Sequence, residues 1–173
     1  MKLTQEIIDA LHICYYPDPV LGKVAKQIEV ITPEIIALSV KMIDLMHEAK
    51  GIGLAAPQVG VSIRMFIINP GGEGLEDLVL INPKLTDFEG QSEIEEGCLS
   101  LPGIHADIKR SATCKVRAQD IEGNFFEIEC DALLSHVVQH ENDHLDGIMI
   151  IDKLSTLGKM KHRKAIKELE RDY

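Results

Sequence analysis

The segment His140-Glu141-Asn142-Asp143-His144 constrains this chain more than any other. Two histidines four apart share one face of a helix, so both imidazoles can grip a single cation. The glutamate beside the first of them can then handle a proton from water held at that cation. Such chemistry requires the segment to be helical and turned inward. The plainer alternative is a chance match on a solvated helix.

A catalytic metal site usually takes three protein ligands and leaves one position open. One known continuation places a third histidine six residues further on, where this chain has Ile150. Another draws a glutamate from a later helix, for which Glu168 and Glu170 are available in a charged terminal segment. The stronger candidate lies upstream in Glu96-Gly97-Cys98-Leu99-Ser100-Leu101-Pro102, an extended stretch that offers a thiolate. Taken alone, a single cysteine is more simply a small buried hydrophobe, and Cys114 and Cys130 keep that reading. His136 extends the histidines to three at four-residue spacing. Two turns, about 12 Å at 1.5 Å per residue, separate it from His144, so one ion cannot take both. His136 is therefore a core residue or a pocket wall.

A chain of 173 residues fits one domain, 1–173, with a substantial core. The net charge of -10 argues against a nucleic-acid binder, and no specific DNA partner is expected. Seven of the 18 basic residues (Lys153, Lys159, Lys161, Arg163, Lys164, Lys167, Arg171) crowd the last 21 positions. That is a solvated helix face or a tail that docks on something anionic. No signal peptide follows Met1-Lys2, and no run approaches the roughly 18 apolar residues of a membrane span. A cytoplasmic protein is expected, its four cysteines thiols, with no Cys-x-x-Cys pair among them.

Thr32-Pro33-Glu34 opens a helix with a capping hydroxyl and a proline in the first turn; Ile35, Met42, Met46 and Ala49 continue it and Gly51 ends it. Strands are expected at 62–68 and 78–81, around the loop Asn69-Pro70-Gly71-Gly72-Glu73-Gly74. Two more, 113–119 and 125–130, form a hairpin through Glu122-Gly123-Asn124. A helix from about Asp131, a plausible N-cap, to Leu145 carries the histidines, with Gly147 beyond it, and 155–170 is a last helix. The class is α+β: mainly antiparallel sheets packed around a central helix that bears H-E-x-x-H, plus a C-terminal helix. Gly51-Ile52-Gly53-Leu54-Ala55-Ala56 mimics a dinucleotide fingerprint, but a helix precedes it and Pro57 and Gly60 bar one after it. The segment more simply brings backbone close to a ligand. Gln58 then is either a loop amide or a donor to a developing oxyanion.

Gly51-Ile-Gly-Leu-Ala-Ala-Pro-Gln58, Glu96-Gly-Cys-Leu-Ser100 and Gln139-His-Glu-Asn-Asp-His-Leu-Asp-Gly147 resemble, in type, order and spacing, the three motifs of the peptide deformylase family. The likeness runs over nearly the whole chain, and Tyr16-Pro17-Asp18-Pro19-Val20-Leu21 resembles that family's N-terminal stretch. The resemblance implies a hydrolase that takes the formyl group from the N-terminal formyl-methionine of newly made polypeptides and releases formate. It implies Cys98, His140 and His144 as ligands of one divalent ion per chain, typically Fe2+, with Zn2+, Ni2+ or Co2+ able to substitute. Glu141 falls on the catalytic glutamate, and Gln58 and the Leu99 N–H on the oxyanion donors. Gly53 falls on the backbone lining the cleft, and Ile52, Leu133 and Val137 fall near the methionine pocket. The basic terminal helix adds an expectation of docking on the ribosome. Two other readings compete: a zinc endopeptidase of the H-E-x-x-H type, and a non-catalytic binding module stabilised by a closed four-ligand site, whose fourth ligand is not evident. The donor set alone suggests zinc; iron follows from the resemblance.

Overall fold

A computed structural model describes residues 3–69, 71 and 76–173. Helices α1 (Gln5–Asp9) and α2 (Pro33–Glu48) come first, then strands β1 (Gly53–Ala55), β2 (Met65–Ile68), β3 (Leu78–Glu89), β4 (Ser92–Gly97), β5 (His105–Arg110), β6 (Thr113–Gln119) and β7 (Phe125–Asp131). Helices α3 (Ala132–Leu145), α4 (Ile150–Lys153) and α5 (Thr156–Asp172) complete the chain. Five strands form one antiparallel sheet in the order β1-β2-β3-β6-β7, and β4 and β5 form a separate antiparallel pair. Helix α3 packs against strands of both sheets, as the α+β reading requires.

Strand β2 shows how the layers are held. All four of its side chains are buried. Met65 and Ile67 enter the core beneath α2, whose Ile35, Leu38, Met42 and Met46 form an inward stripe. Phe66 and Ile68 enter the opposite core, shared with Val138 and Leu145 of α3. A strand covered on both faces reads as a continuous apolar run. Each such side chain stabilises the fold by about 1.5–3 kcal/mol on burial. A third core, with Leu21, Leu101, Ile104, Ile108 and Ile150, receives Ile166 and Leu169 of α5.

Several boundaries differ from the sequence reading. The strand expected from Ser62 starts at Met65, because the backbone at 62–63 pairs with Lys26 instead. The strand expected to stop at Ile81 continues to Glu89 across two register shifts, with Asn82 and Asp87 at positive φ. Those irregularities break the alternation that marks a strand. Strands β1, β4 and β5 and helices α1 and α4 were not expected; Ser-Glu-Ile-Glu-Glu-Gly in β4 is poor in strand-forming residues. Helix α2 ends at Glu48 with Ala49 as its C-cap, and Lys50, not Gly51, takes the left-handed conformation after it (φ 55). Gly51 packs closely instead: a Cβ there would lie 2.9 Å from Leu99 Cδ1, and that side-chain tip would have to shift. Thr32 and Asp131 occupy N-cap positions, but neither side chain makes the capping bond. The hairpin stands as expected, its turn tied by Asp120 Oδ1, which accepts the Glu122 and Asn124 N–H groups at 2.9 and 2.8 Å. Of the glycine loop after Asn69, Pro70 and 72–74 lie outside the described residues, as do Met1 and Lys2.

Candidate metal centre

Helix α3 turns polar residues inward. His136, His140, Glu141 and His144 are all at most 9% exposed, although such side chains normally sit in water. Their periodicity on a helix wedged between two sheets leaves them no other place. The His140 and His144 rings lie 5.0 Å apart, centroid to centroid. Strand β4 ends at Gly97 and delivers Cys98 to the same point. One ligand atom each from Cys98, His140 and His144 lies within 4.8 Å of the other two, with Cys98 Sγ 3.3 Å from His144 Nε2. Among the described residues this is the one cluster of His, Cys or acidic groups able to hold an ion. The alternative ligands are elsewhere: Glu170 accepts a bond from the Tyr16 hydroxyl at 3.1 Å and Glu168 pairs loosely with Lys164. Cys114 and Cys130 are buried opposite each other on β6 and β7.

Two residues without an assigned role organise the centre. Glu96 accepts from His140 Nδ1 at 2.9 Å and from His136 Nδ1 at 2.9 Å, and from Arg110 Nε at 2.6 Å and Nη2 at 2.9 Å. Arg110 also donates to Asp143 Oδ2 at 2.7 Å, which Lys153 approaches at 3.0 Å. Burial opposes a charge on Glu96, but the hydrogen bonds from His140 and Arg110 and the guanidinium charge outweigh it and hold the carboxyl at about 2. A signal for Arg110 was present: His105–Arg110 alternates, with Ala106, Ile108 and Arg110 inward. An arginine at a buried position demands a carboxylate, and Glu96, on the neighbouring strand and two residues before Cys98, supplies one beside Asp143.

The three groups on α3 have distinct electrostatics. Burial works to strip His140 of its proton, yet hydrogen bonds to Cys98 and Glu96 raise it to about 10. Burial, reinforced by the positive charges of His140 and Arg110, keeps His144 well below its ordinary value, so its imidazole is neutral. Burial lifts Glu141 to about 7 against the pull of His140 and Arg110. Its Oε2 is buried without a partner among the described residues. Its Oε1 lies against Gly53, where a Cβ would come 2.8 Å from Cδ. Only glycine at 53 leaves that carboxylate in place.

Gln58 is 1% exposed, which rules out the loop-amide alternative. Its Oε1 accepts the Ala55 N–H at 2.8 Å, so its amide group is aimed the other way, at Ser100 Oγ (3.2 Å) and Cys98 Sγ (3.6 Å). Ser100, fully buried, was another residue without a sequence signal. A cleft of about 560 Å³ opens over the cluster. Its walls include Ile52, Gly53, Gln58, Cys98, Leu99, Leu133, Val137, His140 and Glu141. Ile52 and Leu133, 45% and 54% exposed, are apolar residues turned to solvent at this cleft. His136 is both core and wall: it is 2% exposed, lines the cleft, and has its nitrogens engaged by Glu96 and by Ser92 Oγ at 2.7 Å.

One thiol and two imidazoles form a three-donor set of the kind that leaves a coordination position open. The unpartnered Glu141 oxygen beside them suits a site meant to receive a polar molecule. The donors therefore fit a divalent transition-metal ion.

The family model for polypeptide deformylase matches residues 10–160. A peptide deformylase from Thermodesulfovibrio yellowstonii is 46% identical over 159 residues, covering 91% of this chain and 96% of that protein. The crystal structure of a peptide deformylase from Legionella pneumophila aligns with a TM-score of 0.88 at 40% identity, covering 94% of this chain and 96% of that one. Peptide deformylase 1B of Arabidopsis thaliana, solved with an inhibitor, aligns with a TM-score of 0.90 at 36% identity over 94% of this chain and 91% of that one.

Proposed function

This chain belongs to the polypeptide deformylase family and removes the formyl group from N-formylmethionyl peptides; we propose that it does so as one catalytic domain, 1–173, around an ion held by Cys98, His140 and His144. The observation that carries this reading is the convergence of a β-strand cysteine on the helical histidine pair, next to a buried glutamate near neutrality.

When bound, such an ion supplies Lewis-acid polarisation and makes water acidic enough to lose a proton near pH 7. Glu141 accepts that proton on its carboxylate and passes it to the amine that leaves. Gln58 Nε2 and the Leu99 N–H donate to the formyl oxygen as it gains charge. Loss of one such donor typically costs about 2.7–4 kcal/mol. Gly53 gives the peptide backbone room beside Glu141, and Ile52, Leu133 and Val137 contact the methionine side chain, which wants an apolar wall. We assign Fe2+ as the native ion, with Zn2+, Ni2+ or Co2+ able to replace it. The support is the family resemblance, since the donors alone suit zinc.

The decisive experiment purifies the protein without air, measures its metal and assays formate from a formyl-methionyl peptide beside an internally cleavable one. One iron per chain, formate release and an intact second peptide are expected, with activity declining on aeration. Internal cleavage without formate would favour the zinc endopeptidase, and zinc with air-stable turnover would overturn the iron assignment. We also propose that the enzyme works in the cytoplasm where new chains emerge. Lys159, Lys161, Arg163 and Lys164 are exposed on α5 and suit docking on ribosomal RNA. A variant with these four charges reversed is expected to leave the ribosome pellet; full co-sedimentation would remove the docking idea.

A further inference from the structure

His136 is four residues from His140 and two helical turns from His144, yet it is joined to the centre through Glu96. That carboxylate receives four hydrogen bonds, two per oxygen. Oε1 takes Arg110 Nε and His136 Nδ1; Oε2 takes Arg110 Nη2 and His140 Nδ1. A carboxylate has about four acceptor sites, so all are used. Arg110 fixes the plane of the group from one side, and the two imidazoles straddle it from the other. Because Glu96 is paired with the Arg110 guanidinium and acts as an acceptor, both Nδ1 atoms donate. His136 Nε2 is then the acceptor for the Ser92 hydroxyl at 2.7 Å, which locks the ring and its tautomer. At 2% exposure His136 has no freedom to leave this arrangement.

We infer that His136 is a positioning residue for the metal site: with Ser92 behind it, it pins Glu96 so that Glu96 holds His140 in the orientation an ion needs. Without it, Oε1 loses one of its two donors in a buried setting, and the carboxylate can pivot about Arg110 and carry the His140 ring with it. Partners of ligating imidazoles commonly change metal affinity by about 10–100-fold when lost. His136 is one link further out, so the lower end of that range is expected.

This inference rests on the metal site proposed above, and its test reads metal retention, since His136 also borders the substrate cleft. Zinc-loaded wild type, His136→Leu, His136→Asn and Ser92→Ala are mixed with a chromogenic chelator, and zinc release is timed alongside thermal melting. Asn places an amide N–H where Nδ1 stood and can still donate to Glu96. His136→Leu is expected to release zinc about tenfold faster than wild type, His136→Asn close to wild type, and Ser92→Ala in between. Wild-type release from His136→Leu, or equally fast release from Leu and Asn variants, overturns the assignment. Should His136→Leu fail to fold, Ser92→Ala decides: release no faster than wild type overturns it. Wild type that takes up no zinc would instead sink the metal-site reading on which this depends.

Discussion

Glu141→Gln is expected to lower formate release by about 10²–10⁴-fold while the ion content stays at one per chain. The amide matches the carboxylate in shape, so the contact with Gly53 survives. It cannot take a proton from water or return one to the amine. Folding should suffer little, because burial already disfavours the charge at this position and lifts the carboxyl to about 7. The pH profile separates this from a structural effect. A carboxyl held high by burial must be ionised to act as a base, so the wild-type rate falls as pH drops through its value. A bound dication pulls that value below about 7, which places the acid limb of the profile there. The Gln variant should show low activity without that limb. Near wild-type turnover in Glu141→Gln would remove Glu141 from the mechanism, and loss of the ion would make it a ligand. The second result would also supply the fourth ligand that the binding-module alternative lacks.

What the sequence made legible followed from local periodicity. His140 and His144 four apart, the hairpin at 113–131 and the long amphipathic helix after Pro33 are all set by residues close in sequence. Cys98 was different: its reading as a ligand depended on family resemblance, since no local rule tells a chain that residue 98 meets residue 140. Glu96 and Arg110 went unassigned for the same reason. They stand on β4 and β5 four residues out of register, Glu96 opposite Ala106 and Arg110 opposite Ser92, and meet only through their side chains, on segments whose strand propensities are weak. The end of α2 misled in the other direction. A glycine after a helix is usually its C-cap, but here Lys50 takes the left-handed position and Gly51 packs against the tip of Leu99. Tertiary crowding, which sequence does not display, decided that residue.

Glu96→Ala is expected to destabilise the fold by about 3–5 kcal/mol, the usual cost of breaking a buried ion pair by removing one partner. Arg110 is 6% exposed and would keep only Asp143 as a counter-charge, while His136 and His140 would each lose a buried acceptor. Acid should reveal the same interaction in the wild type. The Glu96 carboxyl lies at about 2 when folded against an ordinary 4.5, so its contribution is present above about pH 4.5 and is lost as pH falls toward 2. That amounts to about 3 kcal/mol. His140, raised to about 10, contributes in the opposite sense, fully below its ordinary 6.5 and lost as pH rises through 10. The two effects share the Glu96–His140 hydrogen bond and are not added. Denaturant melts between pH 6 and 2 should therefore show a decline in wild type that is largely missing from Glu96→Ala. Stability and metal holding can then be pulled apart with Glu96→Leu/Arg110→Met, which removes both charges and fills their volume. It should recover most of the lost stability, because a buried pair is often no better than apolar packing. It should still bind the ion poorly, since His140 Nδ1 has lost the carboxylate that aims it. If the double variant bound metal as tightly as wild type, Glu96 would be a fold element alone and the centre would orient itself without it.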